Sequence, residues 1–248
     1  MPGHVIYSGS SNLDGGPIVC IAVTESTNRK TGDMVQTYVL RADINPLEAS
    51  RIGADRSVCG HCPHRGKADP TKPSGVAEGR SCYVSLTHGP AAVYRAYSRG
   101  RYALVHSADD ITAIGRGRMV RVGTYGDPAA VPDSVWDALL KDASGMTGYT
   151  HARGHTYKRL MVSVDTLSEA RDAWSAGRRT FRVIPVAEWQ SLGVKALQKG
   201  EVLCPASKEA GYKVQCQTCG LCDGARRGRS VAIVAHGLGR KRVGWERV

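Results

Sequence analysis

Three cysteines separated by two residues each constrain this chain more than any other feature. Cys216, Cys219 and Cys222 lie among small and polar residues, and Cys204-Pro205 precedes them along the chain. Two-residue spacers let successive thiolates face one centre, while a further ligand arrives from elsewhere in the fold. Simple burial of these cysteines is the alternative, and the polar residues between them disfavour it. The spacing therefore predicts a metal centre that organises this segment.

The fourth ligand and the metal stay open at the level of the sequence. Cys204 would complete a set of four thiolates, whereas His236 would give three thiolates and one imidazole, and zinc accepts both sets. A run of three cysteines with a remote Cys-Pro is also typical of an iron–sulfur cluster. We expect zinc, with a [4Fe–4S] cluster as the alternative.

A second group of cysteines lies in the first third of the chain. Cys59 and Cys62 have the spacing of a zinc knuckle. Cys82 would supply a third thiolate, and His64 or His61 the fourth ligand. The surrounding stretch is rich in Gly and Pro and has too few apolar residues to pack by itself. We therefore expect a loop folded around a metal, with a disordered linker as the alternative.

Cysteine usage and the start of the sequence indicate a reducing compartment. The first residues lack the basic start and apolar run of a signal peptide, and no apolar stretch is long enough to span a bilayer. Thiols stay reduced in the cytosol, so the eight cysteines are more typical of ligands than of disulfides. Cys20, in an apolar segment, is expected to be simply buried. We expect a cytoplasmic protein with no membrane partner.

The 248-residue chain carries a formal net charge of +12. Excess positive charge favours polyanionic partners, because neutralising phosphates releases condensed counterions. A solvated basic surface is the alternative. Two groups of residues are predicted to contact nucleic acid, with a tyrosine that would stack on an extruded base. They are Arg226, Arg227 and Arg229, directly after the last cysteine, and Arg153, Tyr157, Lys158 and Arg159.

Strands and helices alternate along the chain, which predicts an α/β fold. Segments 18–24 and 35–44 are typical of a hairpin. The clearest unit is a strand at 160–164, a helix opened by a capping box of Thr166 and Glu169, and a strand at 180–184. Such a unit is a βαβ crossover of a parallel sheet. The other predicted strands are 82–87, 119–125, 149–150, 202–204 and 231–235, and the other predicted helices are 90–99 and 132–143.

Parallel strands with helices between them predict a small or incomplete TIM-like barrel, with an open doubly wound sheet as the alternative. We expect residues 1–81 to form an N-terminal β-hairpin and a cysteine loop packed on the barrel. Residues 82–248 would form the barrel itself and carry the last cysteines. In this architecture both cysteine loops are stapled by metal.

Chemically capable side chains follow five of the predicted strands. They are Asp127, His151, Asp165, Cys204 and His236. In a barrel the carboxyl ends of the strands converge on one mouth, where active sites form. Asp127 and Asp165 could divide glycosyl transfer, one attacking an anomeric carbon and the other moving protons. His151 is a further candidate acid or base. Turn and cap formation is the alternative, but five such residues together favour an enzyme.

Several strings in the chain resemble a cysteine-rich family of phage and prophage proteins. They are Val58-Cys-Gly-His-Cys-Pro-His-Arg-Gly66, Thr124-Tyr-Gly-Asp-Pro128, Cys204-Pro-Ala-Ser-Lys-Glu-Ala-Gly211 and Cys216-x2-Cys219-x2-Cys222. This resemblance covers nearly the whole chain. In layout the chain also resembles tRNA-guanine transglycosylases and their phage DNA-modifying relatives, the DpdA proteins. Those enzymes have a TIM barrel, strand-end aspartates and a late zinc site, and they exchange guanine for a 7-deazaguanine base through an aspartate-linked intermediate.

The second resemblance implies that Asp127 and Asp165 are catalytic. It implies a zinc set that consists of Cys216, Cys219, Cys222 and His236. The expected activity is base exchange in DNA, rather than RNA, with a small-molecule base as the second substrate, in the cytoplasm of a bacterial host cell. The chain departs from the family in its cysteine spacing, since the family has Cys-x-Cys-x2-Cys, and in its shorter length. A non-enzymatic zinc protein that binds nucleic acid and an iron–sulfur enzyme remain open alternatives.

Overall fold

Two β-sheets, separated along the chain by Gly148 alone, form the frame of the protein. The structure is a computed structural model and describes residues 2–26, 28 and 30–244. The strands are β1 (Gly3–Ser10), β2 (Pro17–Val23), β3 (Val35–Arg41), β4 (Ala103–Leu104), β5 (Met119–Tyr125), β6 (Gly145–Thr147), β7 (Tyr149–Thr150), β8 (Met161–Val164), β9 (Thr180–Ile184), β10 (Glu201–Leu203) and β11 (Ser230–Val234). The helices are α1 (Pro46–Ile52), α2 (Arg56–Cys59), α3 (Gly89–Ser98), α4 (Ala108–Gly115), α5 (Asp133–Leu140), α6 (Leu167–Ser175), α7 (Val186–Leu192) and α8 (Cys216–Cys219).

The first sheet is mixed, with the strand order β4-β1-β2-β3-β5-β6. β1, β2 and β3 are antiparallel neighbours, whereas β3, β5 and β6 run parallel. β2 and β3 are buried along almost their whole length, and α1, α2 and α3 pack against β3. Strands covered on both faces are expected to be continuously apolar, as the sequence of β2 is.

The second sheet is entirely parallel, with the order β10-β11-β9-β8-β7. Its best-defined crossover is β8-α6-β9. The Thr166 side chain accepts the backbone N–H of Glu169, and the Glu169 side chain accepts the backbone N–H of Thr166, so the predicted capping box is confirmed. The parallel strands direct all their carboxyl ends to one edge of the sheet.

Most predicted elements agree with the structure. The strands at 119–125 and 180–184 have the predicted bounds, and the hairpin and the helices at 90–99 and 132–143 are present within a few residues. The strand predicted at 82–87 is wrong, because that segment is an irregular loop. There the side chains of Ser85 and Thr87 bond to the His88 ring, and such local polar contacts compete with strand pairing. In the described residues, eight elements have no counterpart among the predicted ones: β1, β4, β6, α1, α2, α4, α7 and α8.

The α/β class is confirmed. The strands belong to two hydrogen-bonded sheets, so the TIM-like barrel stays a prediction. β3, from before residue 82, pairs with β5, from after it, so one sheet spans the two predicted units. In the described part of the chain, the helices are too short or too polar to cross a membrane.

The core of the second sheet includes an ion pair. The Arg182 guanidinium donates to both carboxylate oxygens of Glu201, at 2.8 and 2.7 Å, and to the backbone oxygen of Ala196. The two side chains are only 2% and 0% exposed. A pair this deeply buried is tolerated because its hydrogen bonds are satisfied. Arg182 therefore supports the fold and is not available to a phosphate.

Candidate active-site cavity

A cavity of about 110 Å³ lies at the carboxyl ends of strands from both sheets. The residues from Gly123 to Asp127, at the end of β5 and just after it, line one part of the cavity. Residues of β7, β9 and β11 line another part. The cysteine loop of the first third closes another side. The lining includes Cys59, Cys62, His64, Ser81, Cys82, Tyr83, Asp127, Tyr149, His151, Phe181 and His236. Ligands of α/β proteins usually bind at this edge of a sheet.

One wall of the cavity is aromatic and rigidly held. Tyr149 stacks on Phe181 with ring centroids 4.2 Å apart and an angle of 8° between the planes. The hydroxyls of Tyr83 and Tyr149 are 2.8 Å apart, and Arg121 Nη2 donates to both, at 2.9 and 3.0 Å. Tyr83 also lies against His236, with centroids 5.0 Å apart. Flat walls of this kind suit a planar ring, because aromatic faces stack on bases of any sequence.

A carboxylate between two imidazoles forms the centre of the site. His64 Nε2 lies 2.7 Å from Asp165 Oδ1, and His151 Nε2 lies 3.5 Å from Asp165 Oδ2. His64 Nδ1 lies 2.8 Å from Ser81 Oγ, which fixes the orientation of the ring. Among the described residues, this His–Asp–His centre (His64, Asp165 and His151) is the group of potential ligands whose atoms all lie within 4.8 Å of one another.

The charges of this centre support one another. Burial would raise the pKa of the Asp165 carboxyl, but the hydrogen bonds from His151 and His64 outweigh it and lower that pKa well below its usual range. Burial would lower the pKa of His151, but the nearby Cys62 thiol and the Asp165 carboxylate raise it well above its usual value. The centre therefore holds an ionised carboxylate at neutral pH.

A cysteine loop without an apolar core brings His64 to the centre. Arg65 binds the loop from inside: its guanidinium donates to the backbone oxygens of Gly60 and Gly53, and it pairs with the buried carboxylate of Asp55. The backbone oxygen of His64 accepts two N–H groups, from Ser81 and Cys82. These contacts fix the loop against the segment that carries Ser81 and the aromatic wall.

Asp127 has a positioning role in the structure. Its Oδ1 accepts the hydroxyl of Thr150 and the backbone N–H of Ala129, and its Oδ2 accepts the backbone N–H of His151 at 2.8 Å. Asp127 therefore ties the end of β5 to the end of β7 and orients the segment that carries His151. Asp165, by contrast, contacts both imidazoles. The two predicted catalytic aspartates thus occupy different environments.

The early cysteines (Cys59, Cys62 and Cys82) all line the cavity. Burial raises the pKa of Cys59 and of Cys82, and in both cases the neighbouring thiol of Cys62 acts in the same direction. Thiolates bound to one tetrahedral zinc ion at about 2.3 Å would lie about 3.8 Å apart. In the described residues, no three of these thiols reach such spacing. The predicted fourth ligand, His64, faces Asp165 and Ser81 instead.

The late cysteines (Cys204, Cys216, Cys219 and Cys222) also come together. Burial raises the pKa of Cys222, and the thiols of Cys204 and Cys216 reinforce the rise. Their loop is held by Arg179, whose guanidinium donates to four backbone oxygens, those of Leu221, Asp223, Arg226 and Arg229. A polar loop that presents three thiols next to Cys204 suits a metal ion or an iron–sulfur cluster. As with the early group, no three of these thiols in the described residues lie within 4.8 Å of one another.

His236 lines the cavity. Its Nδ1 is 3.3 Å from the backbone oxygen of Val234, and its ring lies against Tyr83. Burial lowers its pKa, and the charge of Lys30 acts in the same direction. Burial raises the pKa of Cys204, and the thiols of Cys216 and Cys219 lie close enough to help raise it.

The predicted nucleic-acid contacts fall into two kinds. Arg227, Arg229 and Lys158 are accessible at the surface. Others have structural partners: Arg153 pairs with Glu169, Arg226 donates to the backbone oxygen of Gly220, Arg159 lies 3.6 Å from Asp223, and Tyr157 donates to Asp137. Tyr157 also packs against the main core. The accessible residues are therefore the better candidates for phosphate contacts.

Several site residues had no signal in the sequence. Tyr83, Tyr149 and Phe181 come together from a loop and two strands, and Arg121 lies inside β5. The pairing of His64 with Asp165 joins residues 101 positions apart. Their positions at strand ends identified His151, Asp165 and His236, whereas the aromatic residues and Arg121 could be placed at the site only with the topology known.

No family model, curated protein or solved structure matches this chain.

Proposed function

We propose that this protein is an enzyme that modifies a base of a nucleic acid, and that the base binds in the aromatic cavity. One observation carries the proposal: a single cavity is lined by flat aromatic rings and by two imidazoles, His64 and His151, and these imidazoles hold the ionised carboxylate of Asp165 between them. Convergent polar groups in a largely apolar pocket are typical of an active site. The net charge of +12 supports a polyanionic substrate.

The reaction that we propose is the exchange of guanine for a 7-deazaguanine base in DNA. An oxygen of the Asp165 carboxylate attacks the anomeric carbon, the bond from that carbon to guanine breaks, and guanine leaves with a proton from His151. The incoming base then attacks the same carbon, its proton passes to His151, and the bond to Asp165 breaks. An ionised carboxylate and an adjacent imidazole are the groups that such a double displacement needs.

In this proposal Asp127 positions the segment of His151 and does not react, because its oxygens accept three hydrogen bonds from Thr150, Ala129 and His151.

The two sheets act together as an incomplete TIM-like barrel. This is supported by the strand ends of both sheets, which converge on one cavity. The late cysteines hold zinc, or alternatively a [4Fe–4S] cluster, as a staple beside the aromatic wall. The packing of Cys222 and Cys204 in the same cluster as Tyr149 supports that role.

Mass analysis of nucleosides tests the proposed function. The protein is produced in bacteria that also make 7-deazaguanine bases, and DNA and RNA are hydrolysed separately. We expect a modified deoxynucleoside with the parent protein and none with Asp165→Asn. Asp172→Asn is the matched control, because Asp172 is an exposed residue of α6 a few positions away.

The outcomes separate the competing functions. Unmodified DNA and RNA with a folded, metal-loaded parent protein would contradict the proposal and favour a nucleic-acid-binding protein without enzymatic activity. A modified ribonucleoside in place of the deoxynucleoside would move the substrate from DNA to RNA. Equal modification by the parent and Asp165→Asn would place the chemistry elsewhere.

A further inference from the structure

The His–Asp–His centre has the composition and spacing of a mononuclear metal site. Three ligands that each bind an ion at about 2.1 Å lie about 3.0 Å apart at right angles and about 3.4 Å apart at tetrahedral angles. The observed separations are 2.7 Å for His64 Nε2 to Asp165 Oδ1 and 3.5 Å for His151 Nε2 to Asp165 Oδ2. With one ligand atom taken from each residue, the three atoms lie within 4.8 Å of one another, so they can reach one ion after a modest movement.

The groups around the centre also resemble the outer shell of a metal site. A ligating imidazole normally engages its second ring nitrogen with a polar partner, which fixes the tautomer and the ring plane. His64 does so through Nδ1 and Ser81 Oγ, at 2.8 Å. His151 is held from its backbone by Asp127 Oδ2, at 2.8 Å. Both imidazoles thus present Nε2 toward the same carboxylate.

The ligands come from three separate parts of the chain, and their convergence leaves one side open. His64 comes from the cysteine loop, His151 follows β7, and Asp165 follows β8. His64 and His151 line the cavity, so an ion between them would face its interior. His151 Nε2 is buried, and its contact with Asp165 Oδ2, at 3.5 Å, is long for a hydrogen bond. A buried nitrogen in that state gains a bond when an ion is present.

We infer that the His–Asp–His centre binds a divalent transition-metal ion, zinc or iron(II), through His64, His151 and Asp165. The Cys62 thiol lies against His151 but is not one of these ligands. Two imidazoles and one carboxylate with open positions suit both ions. The open positions face the cavity and would take a substrate oxygen or nitrogen. The inference stands on the geometry and does not need the proposed function. An ion bound to the Asp165 carboxylate would compete with the bond from that carboxylate to the anomeric carbon. Metal binding and base exchange can therefore be tested separately.

Cobalt binding tests this inference. Co(II) is added to metal-free protein, and the bound ions are counted by elemental analysis while visible spectra are recorded. We expect the parent to bind one Co(II) more than His151→Ala or Asp165→Asn. The lost ion should contribute d–d bands without thiolate-to-metal charge transfer, because no cysteine is among its ligands. His155→Ala is the matched control: His155 also lies beside an aspartate, Asp133, at 3.4 Å.

A second variant guards against loss of folding. Ser81→Ala removes only the partner of His64 Nδ1, and we expect it to weaken Co(II) binding at this site by about tenfold to 100-fold. Equal Co(II) counts in the parent, His151→Ala and Asp165→Asn, together with unchanged affinity in Ser81→Ala, would overturn the inference. So would a lost ion whose spectrum carries thiolate charge transfer, since the ligands would then be cysteines. If protein without this ion still modified the base, the proposed function would stand and the ion would have no part in that reaction.

Discussion

A carboxylate that leaves water needs partners that replace its hydration. Asp165 has them on both oxygens, and the same contacts explain why its pKa falls although burial alone would raise it. Asp127 is also buried, yet its partners are backbone N–H groups and a threonine hydroxyl, which bind and orient. The two aspartates look equivalent in the sequence, because both follow a strand, but their different partners give them different roles.

Asp127 is expected to matter chiefly for stability. In Asp127→Asn the amide group cannot accept the His151 N–H in place of Oδ2, so a buried donor loses its acceptor. We expect the free energy of unfolding to fall by about 1–3 kcal/mol. Urea denaturation measures the change, with Asp172→Asn as the control. A variant as stable as the parent would contradict the positioning role.

His236 predicts a pH dependence. Burial lowers its pKa in the folded protein, while an unfolded histidine titrates near about 6.5. As the pH falls below that value, the unfolded state takes up a proton that the folded state does not, so stability decreases; above it the effect vanishes. We expect His236→Gln to reduce the loss of unfolding free energy between about pH 7.5 and about pH 5. An identical pH slope in parent and variant would contradict this account.

At the scale of elements, two polar loops are organised in the same way. Arg65 binds backbone oxygens and a buried carboxylate inside the early cysteine loop, and Arg179 binds four backbone oxygens inside the late one. A guanidinium has five donors in a planar fork, so one side chain can replace the missing apolar core of a loop. Each loop then presents cysteines next to the cavity or its aromatic wall.

The fourth ligand of the late site gives a prediction at this scale. Cys204 lies at the end of β10 near the other late thiols, whereas His236 faces Tyr83. We expect Cys204→Ser to lose the metal of the late site and His236→Gln to keep it. Elemental analysis of the purified variants measures this. Retention of the metal in Cys204→Ser with its loss in His236→Gln would restore the ligand set of three cysteines and one histidine.

Local patterns predicted the elements well and the site only in part. Strong signals such as the capping box of Thr166 gave the β8-α6-β9 unit, and strand-end positions gave His151 and Asp165. The segment 82–87 failed because its β-rich residues make local polar contacts with His88. The partner of Asp165 could not be predicted, since His64 lies two residues after Cys62 and its position there indicates a ligand of the cysteine site. Contacts across 101 residues depend on topology, which no local pattern contains.

For the whole molecule, the net charge of +12 predicts binding to DNA that weakens with salt. The accessible residues Arg227 and Arg229 follow the late cysteines. If both contact phosphates, Arg227→Ala with Arg229→Ala should reduce the slope of log affinity against log salt concentration by about 2 units. Fluorescence anisotropy with a short duplex measures the slope. Arg95→Ala, on the exposed face of α3, is the control, and an equal reduction there would indicate that only total charge matters.

The central claim is that a planar base binds in the aromatic cavity next to Asp165. A crystal structure of the protein with guanine or a 7-deazaguanine base tests it most directly. We predict that the ring lies against Tyr83 and Tyr149, with one edge toward Asp165 and His151. A ring bound on the basic surface near Arg227, with the cavity unoccupied, would contradict the claim.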